Sequence, residues 1–246
     1  MPQSSWYRAV DNLYQQDKEK FLKLLELKAE IIRETMNDNC EDTKTVLTLG
    51  FNPMLFYICD KNDNIEYHMA CYNQEDVDFC ANHPDLQHVI THNLADLTDE
   101  QFDIVVALDS FFTRFADEEQ QRNIINKAFQ LTGKTMVTTV KDFKNMKSVD
   151  RLIDPPMVIN TKEGAHVFVN HREWDNTDKQ KFKETLYQLS NGDLQTVVVE
   201  QKRTLYFKQL AKYIHDQGCK EFKISQSQFY KNLFSRSYEY IAVAKK

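Results

Sequence analysis

Four short stretches carry the residues that could do chemistry at one edge of a sheet. Val46-Leu47-Thr48-Leu49 is a strand-like run that ends on Gly50 and is followed by Phe51, Asn52 and Pro53. A glycine closing a buried strand lets the backbone turn tightly and come close to a ligand. In open α/β sheets the carboxyl ends of the strands are where ligands sit. The same edge would bring in Cys71 and Tyr72 ("ACYNQED"), Asn93 ("THNLADL"), and Asp109 and Ser110 ("ALDSFF"). These groups hydrogen-bond and orient, and one of them is a carboxylate. That chemistry suits a nucleotide-cofactor loop, or what remains of one. The seven histidines form no HxH or HExxH pair, so no metal site is expected.

Two further stretches stand apart. "NHREWD" gathers His171, Arg172 and Trp174 at a strand end, where they could line a substrate mouth; the plainer reading is an alternating strand with Trp174 packed. "DPPM", Asp154 to Met157, reads as a proline-stiffened turn before a hairpin.

The elements that must position these groups follow a regular order. An N-terminal helix is expected from about 5 to 36, from the three- and four-residue spacing of Val10, Leu13, Phe21, Leu24 and Ile32. Strands are expected at 45–50, 65–72, 88–91, 102–108 and 133–140, with helices at 53–59, 74–82 and 117–132 between them. "FDIVVAL" is a continuous apolar run, as in a parallel sheet covered on both faces. The alternation calls for a doubly wound, mostly parallel sheet. A hairpin is expected around Lys162-Glu163-Gly164, then a helix over 178–189 and a strand "TVVVEQK". The chain should close with a helix over 204–217 stopped by Gly218, a strand at 221–225, and a last strand in "YEYIAVAKK".

At 246 residues, 41% hydrophobic and 28% charged, the chain has ample material for a core. No 18-residue apolar run is present, so no membrane span is expected. Five widely spaced cysteines without a CxxC read as reduced, buried thiols of a cytoplasmic protein. From Gln201 onward there are ten Lys/Arg against three Asp/Glu, a local +7 in a chain of net −6. An acidic body with a basic end argues against general nucleic-acid coating and leaves an acidic partner open at that end. Basic residues do alternate with aromatics there (Lys208, Lys212 and Lys223 with Phe207, Tyr213 and Phe222), the pattern of single-strand binding, but strand and helix spacing accounts for most of the aromatics as core.

The ending "LAKYIHDQGCKEFKIS…RSYEYIAVAKK", and "FDIVVALDSFFTRFADEEQQRNIINKAFQLTGKTMVTTV" before it, resemble class I S-adenosylmethionine-dependent methyltransferases, over about 43–140 and 203–246. The resemblance implies a Rossmann-like seven-stranded sheet with helices on both faces. To it this chain adds an N-terminal helical extension (1–42) and, within the methyltransferase-like domain (43–246), an inserted β-hairpin/helix region after strand five (about 143–200). It also implies cofactor contacts from Gly50, Phe51, Asn52, Cys71, Tyr72, Asn93 and Asp109, and substrate contacts from Ser110, His171, Arg172 and Trp174. The chain departs from the family's pattern at three anchors. Thr48 stands at the acidic position of the first strand, Asn52 and Pro53 where later glycines belong, and Cys71 where a carboxylate holds the ribose. Two readings stay open: a methyltransferase acting on an unidentified acceptor, and an inactive methyltransferase-fold module for assembly or protein interaction.

Overall fold

The computed structural model describes residues 18–40, 42–52, 54, 58–59, 64–148, 153–154, 156–161, 164–190, 192–226 and 239–246. The first part of the expected N-terminal helix, most of the expected helix at 53–59 and the segment 227–238 lie outside them.

Within these residues the elements are α1 (Lys18–Asn39), β1 (Thr45–Leu49), β2 (Glu66–Cys71), α2 (Gln74–Ala81), β3 (Ile90–Asn93), β4 (Phe102–Ala107), α3 (Glu118–Gln130), β5 (Thr132–Lys141) and α4 (Phe143–Ser148). Then follow β6 (Met157–Thr161), β7 (Gly164–Trp174), β8 (Lys181–Ser190), β9 (Asp193–Arg203), α5 (Phe207–His215), β10 (Glu221–Gln226) and β11 (Glu239–Lys245).

The main sheet has seven strands in the order β10-β11-β5-β4-β1-β2-β3. β1, β2, β3, β4 and β5 pair in parallel, and β11 runs antiparallel to both β5 and β10. This is the closing strand pair that the resemblance implies. Both faces are covered, as the apolar runs require. Along β4, Ile104 and Val106 enter one core cluster, with Val46, Met69 and the α1 residues Ala29, Ile32 and Met36. Val105 and Ala107 enter the other, with Leu47, Ile125, Phe129, Leu210 and Ile214. The two-residue strand period thus sends alternate side chains to opposite cores. α1 is part of this packing: Ala29, Ile32 and Met36 are buried, and Thr135 on β5 donates to the Asn39 carbonyl at 3.0 Å.

The inserted region corrects one expectation. Lys181–Ser190 is a strand, not the helix expected over 178–189, and the insertion is a separate four-stranded antiparallel sheet, β6-β7-β8-β9. Phe182, Leu186 and Leu189 have the i, i+4, i+7 spacing of a helix face. In the fold β8 has hydrogen-bonding neighbours on both edges, Trp174↔Phe182 from β7 and Phe182↔Lys202 from β9. Pairing on both sides satisfies the backbone that a helix would have satisfied internally.

Candidate functional site

Strand order reverses between β1 and β4, and the register there sets the site. Leu49 pairs with Ala70, Thr48 with Val106, Cys71 with Asn93 and Ala107 with Thr138. Gly50, Tyr72, Leu94 and Leu108 therefore leave the sheet along one carboxyl edge, where a crevice forms in folds of this type.

Gly50 turns the chain with φ +73° and donates its N–H to the Ala70 carbonyl at 2.9 Å. The space above it is taken. A Cβ at Gly50 would lie 2.9 Å from Phe111 Cε2 and 3.8 Å from an Arg114 guanidinium nitrogen. Phe111 is fully buried in the short 3-10 turn Phe111–Arg114 that follows β4, with the Arg114 guanidinium 5.7 Å from its ring centre. Phe115 meets Phe111 edge-on at 5.7 Å and Tyr72 edge-on at 5.2 Å. Tyr72 is partly exposed, and its hydroxyl takes a hydrogen bond from Gln120. An aromatic chain thus runs from the end of β4 past Gly50 to the end of β2. Sequence pattern did not single out Phe111, because "SFF" carries no spacing that separates a lid from a core.

The polar groups beside Gly50 form one joined unit. Asn52 is buried; its Nδ2 donates to Asp109 Oδ2 at 2.6 Å, and its Oδ1 accepts from the Met54 N–H at 2.9 Å. Asp109 and Ser110 both have left-handed backbones, φ +50° and +53°. Such a pair of non-glycine residues is costly, at about 1–3 kcal/mol each. The Ser110 N–H donates to Thr139 Oγ1 at 3.3 Å, while the buried Ser110 hydroxyl has no hydrogen-bond partner. Phe51 goes elsewhere, inward, edge-on to Phe79 at 5.2 Å.

At the neighbouring strand ends, Thr48 Oγ1 donates to the His68 carbonyl at 3.2 Å. The Cys71 thiol is buried 3.8 Å from that of Cys80. Asn93 is half-buried, and its Oδ1 accepts from the Ala95 N–H at 3.0 Å. Pro53 lies outside the described residues.

The three residues of "NHREW" part company. Trp174 packs with Phe143 and Phe182, ring centres 6.3 and 5.0 Å away. His171 is half-buried and bridges to Ile153. Arg172 is 1% exposed, with both Asp154 carboxylate oxygens and, at 2.9 Å, Glu184 Oε1 as partners. Lys202 joins Glu184 and Glu200, and Lys141 stands 4.0 Å from Asp154. Burial acts to raise the Glu184 carboxyl, yet Lys202, Arg172 and Lys141 outweigh it and hold it well below the usual carboxylate range. Asp154 is lowered in the same way, with Lys141 and Arg172 overcoming its burial. Glu184 and Lys202 lie in stretches that read as amphipathic surface, so spacing alone did not mark them. β9 of the inserted sheet packs against the Phe111–Arg114 turn, which sets this buried charge network beside that turn.

A second polar group sits on β2 and β3. His68 Nδ1 and His92 Nε2 share a hydrogen bond at 2.9 Å, and His68 Nε2 meets Glu66 at 2.9 Å. Burial and the neighbouring His68 lower the His92 pKa, with Glu100 acting in the other direction. Among the described residues no three His, Cys, Asp or Glu side chains gather to hold a metal ion, and no helix is long and apolar enough to cross a membrane.

No protein-family model matches the chain, and no curated protein matches it in sequence. Solved structures do match it in fold. The methyltransferase CcbJ of Streptomyces caelestis aligns at TM-score 0.65 and 18% identity, covering 88% of each chain. DesVI of Streptomyces venezuelae aligns at TM-score 0.69 and 10% identity, covering 97% of each chain. CalS10 of Micromonospora echinaspora, an amino pentose methyltransferase solved with S-adenosylmethionine bound, aligns at TM-score 0.66 and 9% identity, covering 97% of this chain and 95% of that one. The chain has the class I methyltransferase fold.

Proposed function

We propose that this protein is an S-adenosylmethionine-dependent methyltransferase whose crevice opens when the Phe111 turn moves off Gly50. One observation carries the reading. At the switch point between β1 and β4, a left-handed glycine turn lies beside two successive left-handed residues, Asp109 and Ser110, tied together through Asn52. Strain of this kind persists where a site requires it, and burial of an unpartnered Ser110 hydroxyl adds to the cost.

The residues fit the cofactor at two of its three ends. Asp109 supplies the carboxylate that would face a sulfonium, with Asn52 and the Gly50 backbone beside it. The Tyr72 ring and the Asn93 amide would meet the adenine. At the ribose, Cys71 replaces the carboxylate that the resemblance calls for, and a thiol is a weak partner. Losing such a charge-assisted bond costs about 1.5–3 kcal/mol, so binding would be micromolar or weaker rather than tight.

The bound cofactor supplies an electrophilic methyl group on a sulfonium. The chain's own part is positioning, because an in-line displacement from a good leaving group needs alignment more than a dedicated acid or base. In this reading Asp109 holds the donor side, the Ser110 hydroxyl orients the acceptor, and the Phe111–Phe115–Tyr72 aromatics close over the crevice and exclude water. Amino sugars are the first acceptors to test, since CalS10, similar in fold, is an amino pentose methyltransferase.

The second reading, a silent module, is favoured by the Phe111 ring resting on Gly50 and by the buried Cys71–Cys80 pair. In it the fold is kept for an interaction, and an acidic partner at the basic C-terminal end belongs to that proposal. There Arg203, Lys212 and Lys223 already pair with Glu118, Asp216 and Glu221, while Lys231 and Arg236 lie outside the described residues.

Titration calorimetry with S-adenosylhomocysteine separates the two readings. Micromolar binding that Asn93→Ala weakens supports the enzyme. No heat at millimolar ligand from folded protein, with the Phe111→Leu variant equally silent, leaves the module.

A further inference from the structure

The two faces of the inserted sheet differ sharply. Register assigns Phe168, Arg172, Phe182, Glu184, Leu186, Val198 and Lys202 to one face. Five of these are 9% exposed or less, so this face packs inward. The opposite face carries Val158, Val167, Leu189 and Leu194 as one row across all four strands. A parallel row is Val169, Tyr187 and Thr196, and a third is Ile153, His171, Thr185 and Val199.

The outer members of these rows reach water, while Val167, Val169, His171 and Tyr187 are half-buried and Thr185 is buried. Leu194 is 66% exposed, Val158 55%, Ile153 53%, Val199 49% and Leu189 39%. Those five are all but two of the large apolar side chains found exposed among the described residues, the others being Tyr72 and Ile90. Scattered exposed aliphatics are ordinary, whereas a contiguous sheet face of them marks an interface.

We infer that this face is where a second copy of the chain docks, sheet against sheet. An open sheet face offers neither the groove that a helix or peptide needs nor the concavity that a small ligand needs. Its charges are few and paired, Glu173 with Lys183 and Lys181 with Asp178, at one end of the rows. A neutral face gives no hold to nucleic acid or to an anionic membrane. Sheet faces pack on other sheet faces at about 10 Å, and this chain carries a suitable one. A two-fold contact also asks that one patch be complementary to itself. A neutral aliphatic centre with an internally paired rim meets that condition. Four strands about 4.8 Å apart, over six residues at about 3.3 Å each plus side-chain margins, present roughly 500 Å² per copy. Two such faces reach the ~1,000 Å² total of a specific interface. The inference does not depend on methyl transfer.

Sedimentation velocity on the full chain tests it. The wild type should sediment as a dimer at tens of micromolar. Leu194→Glu, and separately Val158→Glu, should raise the dissociation constant by about 100-fold or more, because each buries an unpaired carboxylate in the contact. Both positions are exposed, so circular dichroism and melting of the monomer should stay as in the wild type. Ile90→Glu, on β3 of the other sheet and 46% exposed, should leave the dimer intact. A wild type that stays monomeric overturns the inference, as does a dimer that neither Leu194→Glu nor Val158→Glu weakens. A monomer that captures some other protein through this face overturns it equally.

Discussion

Asn52 Nδ2 donates to Asp109 Oδ2 at 2.6 Å across the switch point between β1 and β4. The bond joins the loop after Gly50 to the left-handed pair that begins the Phe111 turn, so each segment fixes the other. Asp109→Asn should keep the fold, since asparagine tolerates the left-handed backbone and can still accept a hydrogen bond. Asp109→Ala should lower stability by about 1–3 kcal/mol, because the buried Asn52 amide loses its partner. If Asp109 faces the sulfonium, both variants should weaken S-adenosylhomocysteine less than S-adenosylmethionine, which alone carries the charge. Calorimetry with the two ligands reads that difference; equal losses would remove Asp109 from the sulfonium site.

Gly50 and Phe111 should be energetically coupled. Gly50→Ala meets both a positive φ and the Phe111 ring, and should cost about 1–3 kcal/mol. Phe111→Ala, at a fully buried ring, should cost about 3–5 kcal/mol. With the ring gone the new methyl group has room, so the double variant should be less destabilised than the sum by about 0.5–3 kcal/mol. Urea unfolding of the four proteins measures this; strict additivity would mean that the ring does not rest on the glycine.

The buried charges beneath the inserted sheet make a third test. Arg172→Met leaves Asp154 and Glu184 without the buried cation they share and should cost about 3–5 kcal/mol. Lys141, Arg172 and Lys202 hold both carboxyls below their ordinary pKa in spite of burial. Each folded pKa then lies below the unfolded value of about 4. Their contribution is complete above that value and is lost as pH falls through the folded pKa. The stability gap between wild type and Arg172→Met should therefore be widest near neutrality and narrow on acidification below pH ~4.

The histidine pair acts in a milder range. Burial and the nearby His68 lower the His92 pKa, so the folded state binds that proton less readily than the unfolded chain. Stability from this source is present above the unfolded value of about 6.5 and falls as pH drops through the folded pKa. The 2.9 Å ring-to-ring hydrogen bond points the same way, since it needs one neutral nitrogen to accept. Glu100, near His92, is the charge that moderates the effect, and Glu66 pairs with His68. Melting temperature should decline between about pH 7 and 5, and His92→Gln should flatten that decline. An unchanged slope would show that other groups set it.

Sequence alone established the main sheet of this protein and the edge along which its candidate site lies. Five parallel strands, the helices expected at 74–82 and 117–132 and the closing β10–β11 pair were legible because burial on two faces leaves unbroken apolar runs such as "FDIVVA", and glycine or polar turns delimit them. Gly50, Asn52, Cys71, Asn93, Asp109 and Ser110 could be placed on one edge because strand ends follow from strand order. Tertiary structure decided the rest. Phe182, Leu186 and Leu189 suit a helix face or a half-buried strand, and the neighbours β7 and β9 settled it in favour of β8. Phe111 could have been core or lid; its ring lies on a glycine 61 positions earlier in the chain (111 less 50). Arg172 had the look of a solvated strand residue until Asp154 and Glu184, from separate segments, closed around it. Periodicity reports how much of a residue is covered. Which residue does the covering is a matter of long-range pairing, and neither spacing nor composition encodes it locally.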